Sequence, residues 1–135
     1  NYTITVSPDL TDRWGSRLGE IFAEIDILVV PSQWAENNPR VIQESFASKT
    51  PVIASNVGGI PEWIDNEKTG ILIPPKSPEK VAEAILTLAA DPALRSCMGS
   101  AAREVVLKNG QWNTLMAQAE KDYLALIETY RQDRP

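Results

Sequence analysis

The sequence predicts an α/β domain: a Rossmann-like, doubly wound parallel sheet with extra helices at its C-terminal end. Three observations carry that expectation. Short apolar runs alternate along the chain with helix-periodic stretches; most of those runs are continuous rather than alternating; and several helix-like stretches open on a start signal. Continuous apolar strands are the kind covered on both faces, as in a parallel sheet.

The elements follow in order. Residues 2–6 (YTITV) alternate apolar residues with threonine, the pattern of a half-covered strand. Residues 11–25 set Trp14, Leu18, Ile21, Phe22 and Ile25 at helical spacing, weakened by Gly15 and Gly19. Ile27 to Val30 form a continuous apolar strand. Asn38-Pro39 reads as an N-cap followed by proline at the first helical position, where its missing N–H costs nothing, and the helix runs to about Ser48. PVIAS, 51–55, is a buried strand; the turn NVGGI leads to a short helix at 61–65; GILIP, 70–74, is a further strand. Ser77-Pro78 opens a helix over 78–90, and Asp91-Pro92 opens another that runs to about Lys108 and ends at Asn109-Gly110. The last helix, 112–131, gathers Trp112, Leu115, Met116, Ala119, Tyr123, Ile127 and Tyr130 on one face, which reads as packing.

Composition narrows the function. The chain has 135 residues, 43% hydrophobic and 23% charged, enough for one domain with a genuine core. A net charge of −5, with no basic stripe, argues against nucleic acid and against direct contact with an anionic membrane surface. No apolar run approaches the roughly 18 residues of a membrane span, so no membrane insertion is expected and a cytoplasmic compartment is. There is no histidine, which excludes Ser-His-Asp and Cys-His chemistry within the chain. The single cysteine, Cys97, can form neither an internal disulfide nor a Cys/His metal cluster, and reads as a half-buried small apolar residue in a helix. The chain opens without methionine inside a strand-like stretch, the expectation being a piece of something longer.

The stretch ENNPRVIQE brackets a helix start with Glu36 and Glu44. Ligands of such sheets bind at the carboxyl ends of the strands, beside helix N-termini whose free N–H groups favour an anion such as a phosphate. With Asn38 as N-cap, Glu44 stands roughly 8 Å up the helix axis, where a carboxylate could accept two hydrogen bonds from a vicinal diol such as a ribose. Glu36, on the loop, would face whatever lies past the phosphates. On spacing alone, a solvated helix residue and a favourable charge near a helix start are the better account of the pair.

The surroundings say more. From Asp26 to Gly70 the chain has a strand ending in Pro31-Ser32, two glutamates with seven residues between them, and a Pro-Val-Ile-Ala-Ser strand. Then come the turn Gly58-Gly59, with Glu62 three residues on, and a Gly-Ile-Leu-Ile-Pro strand. This ordered set resembles the C-terminal half of the group 1 (family 4) retaining glycosyltransferases, over about residues 20–108. The resemblance implies one half of a GT-B fold, residues 1–135 being the nucleotide-sugar-binding domain. It implies an enzyme that moves a glycosyl group from a nucleotide-diphosphate sugar to an acceptor hydroxyl, the anomeric configuration kept, with no cofactor and no metal. The sugar or lipid-linked acceptor would be held by a separate N-terminal domain. Glu36 matches the glutamate facing the transferred sugar or reaction centre. Glu44 matches the one on the ribose hydroxyls. Asn37, Asn38, Arg40 and Val41 fall where the family's loop approaches sugar and diphosphate, and Gly58 and Gly59 in the turn facing the interdomain cleft.

One departure bears on the sugar. The family usually has Gly-Phe-Gly after the first glutamate; here it is Asn37-Asn38-Pro39, which removes a donor at Pro39 and adds a side-chain amide at Asn37. Arg40 reads either as a phosphate contact or as a solvated arginine. Trp34 and Trp63 read either as lining the acceptor side or as local packing. Rival readings are a GT-B epimerase or phosphorylase half, and a non-catalytic α/β interaction module.

Overall fold

The structure, a computed structural model, describes residues 18–109 and 112–132. The strand read at 2–6, the first part of the helix read at 11–25 with Trp14, and the Gly110 stop lie outside the described residues. Helix α1 is Leu18–Ala23, and three parallel strands follow: β1 (Leu28–Val30), β2 (Val52–Ser55) and β3 (Gly70–Ile73), in the order β1-β2-β3. Their register pairs Leu28 with Val52 and Val30 with Ala54, then Val52 with Gly70 and Ser55 with Ile73. Helix α2 (Arg40–Ala47) connects β1 to β2, and a 3-10 turn at Ile60–Glu62 lies between β2 and β3. Helices α3 (Pro78–Ala90), α4 (Pro92–Asn109) and α5 (Trp112–Gln132) follow.

Side-chain alternation along the strands sorts the core onto two faces. Val52 and Ala54 join Ile42 and Phe46 of α2, Ile60, Ile64 and Ala102 on one face. Ile53 and Ile73 join Ala84 and Leu88 of α3 and Met98 on the other. Every residue of β2 is buried, so the continuous apolar run is explained by cover on both sides. β1 is only half-buried along its length. Full burial of a side chain such as Phe46 contributes about 1.5–3 kcal/mol.

α4 serves both faces: Met98 belongs to one cluster, while Ala102, Val105 and Val106 pack against the other. It passes the loop before β2 at close range. A Cβ on Gly99 would stand 1.9 Å from the Lys49 carbonyl, so only glycine fits there. Arg103 Nη1 donates to the Ala47 carbonyl at 2.7 Å, satisfying an end group of α2. Ser45 Oγ donates to the buried Thr50 carbonyl at 2.9 Å. These contacts fasten the amino end of β2 and leave its carboxyl end for a site.

Three sequence expectations need correction. Pro39, φ −71° and ψ 102°, is itself the cap residue, and the helix begins at Arg40. The ring fixes φ and the extended ψ holds Asn38 a residue too far away to cap, so α2 starts with no side-chain cap. Cys97 is exposed, because the inward positions of α4 are its neighbour Met98 and Ala102. On the long face of α5, Met116, Tyr123 and Ile127 are exposed and Ala119 is half-buried, so among the described residues this face is not the buried one expected. The side chains of Trp112 and Leu115 lie outside the described set. Among the described residues no helix is long and apolar enough to cross a membrane.

Candidate functional site

The loop after β1 and the turn after β2 are joined through backbone. The Gly59 N–H donates to the Glu36 carbonyl at 2.7 Å. Gly58 adopts φ +55°, a left-handed conformation that favours glycine. A Cβ there would stand 2.3 Å from the Glu36 carbonyl oxygen, and one on Gly59 would stand 2.0 Å from that of Asn37. Both glycines are therefore required by close approach, and together they fix the backbone of Glu36 and Asn37.

The half-buried Glu36 side chain is held as well. Ser32 Oγ donates to Glu36 Oε1 at 3.3 Å, so the serine of the Pro-Ser pair orients the carboxylate four residues on. Asn37 is exposed. The Asn38 Oδ1 accepts from Gln43 Nε2 at 2.6 Å, an alternative to the capping bond expected of it. Pro39, by contrast, is buried beneath the loop.

At the start of α2 the first amides have no partner within the helix and no side-chain cap, leaving N–H donors and the positive end of the helix dipole for an anion. The Val41 side chain packs against the core. The Glu44 side chain retains 24% exposure, and the nearest Arg40 Nη2 is 4.0 Å away, with Arg40 87% exposed. An exposed pair of this spacing contributes only about 0.3–0.5 kcal/mol, so it hardly restrains the carboxylate. The site thus brings Glu36, Asn37, Gly58 and Gly59 into one unit and sets Arg40, Val41 and Glu44 on the helix that leaves it.

Glu62 is exposed. Trp63 packs against the core. Trp34 is 69% exposed on the loop, so loop packing does not account for it. Sequence reasoning missed a cleft of ≈ 750 Å³ at the carboxyl ends of all three strands, bounded by Pro31, Ser55, Ile73, Lys76 and the first turns of α3. Little in the sequence marked it, since its residues come from three separate stretches of the chain.

The comparisons with known proteins identify the family. The family model for group 1 glycosyl transferases matches residues 11–105. A GDP-mannose-dependent alpha-(1-6)-phosphatidylinositol monomannoside mannosyltransferase of Mycobacterium tuberculosis is 40% identical over 78 residues, 58% of this chain and 20% of that protein. Sucrose-phosphate synthase from Thermosynechococcus elongatus matches with a TM-score of 0.75 and 34% identity, covering 81% of this chain and 27% of that one. The C-terminal domain of a group 1 glycosyl transferase (LpcC) from Francisella tularensis matches with a TM-score of 0.65 and 27% identity, over 81% of this chain and 53% of that one. The chain spans less than a third of the length of the curated relatives it matches. With the family model covering most of its length and the parallel sheet matching GT-B neighbours, this chain belongs to the group 1 glycosyl transferases.

Proposed function

We propose that this chain is the C-terminal, donor-binding domain of a retaining glycosyltransferase that uses a nucleotide-diphosphate sugar. The enzyme transfers the glycosyl group to an acceptor hydroxyl, and the acceptor, a sugar or a lipid-linked molecule, sits on a separate N-terminal domain. One observation carries the reading: Glu36 is fixed at both its carbonyl and its carboxylate beside the uncapped start of α2, with Glu44 little more than a turn further on.

The chemistry follows from that placement. The amides of Arg40 and Val41 and the dipole of α2 take the diphosphate and stabilise the charge that develops on it as the glycosidic bond breaks. The Glu44 carboxylate accepts two hydrogen bonds from the ribose diol. Glu36, already oriented by Ser32, stabilises the positive charge developing on the transferred sugar, and Asn37 and Asn38 present side-chain amides to its hydroxyls. Charge stabilisation is supplied by protein donors, so the reading needs no metal, and a cytoplasmic location goes with it. The donor in the name of the mycobacterial mannosyltransferase, GDP-mannose, supports a nucleotide-sugar donor.

The test is an amide-shift titration of this chain with UDP, GDP and ADP. At least one nucleotide shifts residues 36–45 and 58–60 saturably. Shifts confined to α4 and α5 for all three would overturn the reading.

A further inference from the structure

The cleft at the carboxyl ends of the strands carries chemistry that the donor reading leaves unused. Along β2, Val52 and Ala54 face the α2 cluster and Ile53 faces the α3 cluster. Ser55, two residues beyond Ile53, points to the same side as Ile53 and lines the cleft. It is 1% exposed, and among the described residues its hydroxyl has no hydrogen-bond partner. A buried hydroxyl left unpaired costs about 1–3 kcal/mol, so the cleft has a polar floor waiting for a partner. At the mouth stands Lys76, the one charged residue among those lining the cleft, held at φ +58°. Beside it α3 begins without a side-chain cap, because Ser77 Oγ donates to the Pro75 carbonyl at 3.4 Å instead. Between floor and mouth the walls are mostly apolar, Pro31, Ile73, Val81 and Ile85, with the side-chain amide of Gln33 beside them.

We propose that this cleft is a second ligand site, apart from the donor site, for a small anion with an apolar middle and a hydrogen-bonding group at its far end. The acidic group meets Lys76 and the first turn of α3 at the mouth, where cation and helix dipole act together. The far group meets the Ser55 hydroxyl at the floor. The volume, ≈ 750 Å³, falls in the usual range for small-molecule pockets. Neither Glu36 nor Glu44 lines it, and it opens on the face of the sheet opposite α2.

The test compares three probes by amide-shift titration of the chain: 3-(4-hydroxyphenyl)propanoate, the same acid without its hydroxyl, and the corresponding neutral alcohol with the phenol kept. The hydroxylated acid shifts Ser55, Ile73, Lys76 and Val81 saturably, and each of the other two binds at least about fivefold more weakly, the loss expected for one charge-assisted or neutral hydrogen bond. Ser55→Ala abolishes the preference for the hydroxylated acid over its deoxy analogue, and Lys76→Gln abolishes the preference for the acid over the alcohol. The comparison of probes on the unaltered chain needs no variant to fold. Equal affinity for the three probes, no saturable shift with any of them, or shifts centred on α5 would overturn the proposal. The nucleotide titration reads different residues, so failure here leaves the donor reading standing.

Discussion

The carbonyl of Glu36 accepts the N–H of Gly59 at 2.7 Å, across the gap between the loop that leaves β1 and the turn that leaves β2. The backbone of the residue proposed for the reaction centre is therefore held by the turn that follows a strand other than its own. Gly59→Ala tests the coupling. The added Cβ, 2.0 Å from the Asn37 carbonyl, must push the loop away. Overpacking of this kind costs about 1–3 kcal/mol, to be read by urea denaturation. In the proposed two-domain enzyme, kcat falls while the variant remains folded.

Glu44 and Glu36 are expected to fail differently. Glu44→Ala removes charge-assisted hydrogen bonds worth about 1.5–3 kcal/mol, roughly a ten- to hundredfold loss of nucleotide affinity. Glu36→Ala leaves nucleotide affinity within a few fold, yet in the longer enzyme lowers kcat more than it raises KM for the donor. Isothermal titration with the nucleotide that binds, together with donor kinetics, separates the two. Unchanged affinity in Glu44→Ala would leave that residue an ordinary helix carboxylate.

Two helical glycines should respond to alanine with opposite signs. Alanine is favoured over glycine inside a helix by about 1 kcal/mol. At Gly19 in α1 a Cβ meets nothing within 4 Å among the described residues, so Gly19→Ala stabilises by up to about that amount. At Gly99 the same Cβ lands 1.9 Å from the Lys49 carbonyl. Overpacking against backbone, about 1–3 kcal/mol, outweighs the helical gain and Gly99→Ala destabilises. Thermal melts of the two variants beside the parent chain decide it.

The chain by itself should bind nucleotide without turning it over. Transfer needs donor and acceptor groups held together in reactive geometry, and the acceptor side belongs to the proposed N-terminal domain. Product release from a nucleotide-sugar is measured for this chain and for the longer enzyme; equal rates in the two would sink the two-domain reading.

Much of the fold is legible in the sequence, for identifiable reasons. The continuous runs at 27–30 and 51–55 and the start signals at Ser77-Pro78 and Asp91-Pro92 each report local chemistry, and the elements appear where those signals stand. At Asp91 the cap is real: the Leu94 N–H donates to Asp91 Oδ1 at 2.9 Å. What fails depends on partners rather than on spacing. The apolar period of α5 suggests packing, but periodicity shows that a helix has two faces without showing what covers either. Asn38 has a side chain suited to capping; the structure gives that oxygen to Gln43 instead. The meeting of Gly58 and Gly59 with Glu36 joins residues more than twenty positions apart, and no local pattern announces such a contact. The family resemblance places these glycines near the site, and the close approach supplies the physical reason.

The tether between Glu36 and Gly59 also bears on how such a domain can diversify. It pins the middle of the loop while the side chains of Trp34 and Asn37 remain outside, in water. Substitutions at those two positions can drift without displacing the carboxylate, whereas an inserted or deleted residue between Ser32 and Asn37 would tear the carbonyl from its donor or the serine from its glutamate. Lineages of this domain should therefore vary that segment in letters and keep its length, and a library built to change the sugar accepted should randomise positions 37 and 38 at fixed spacing.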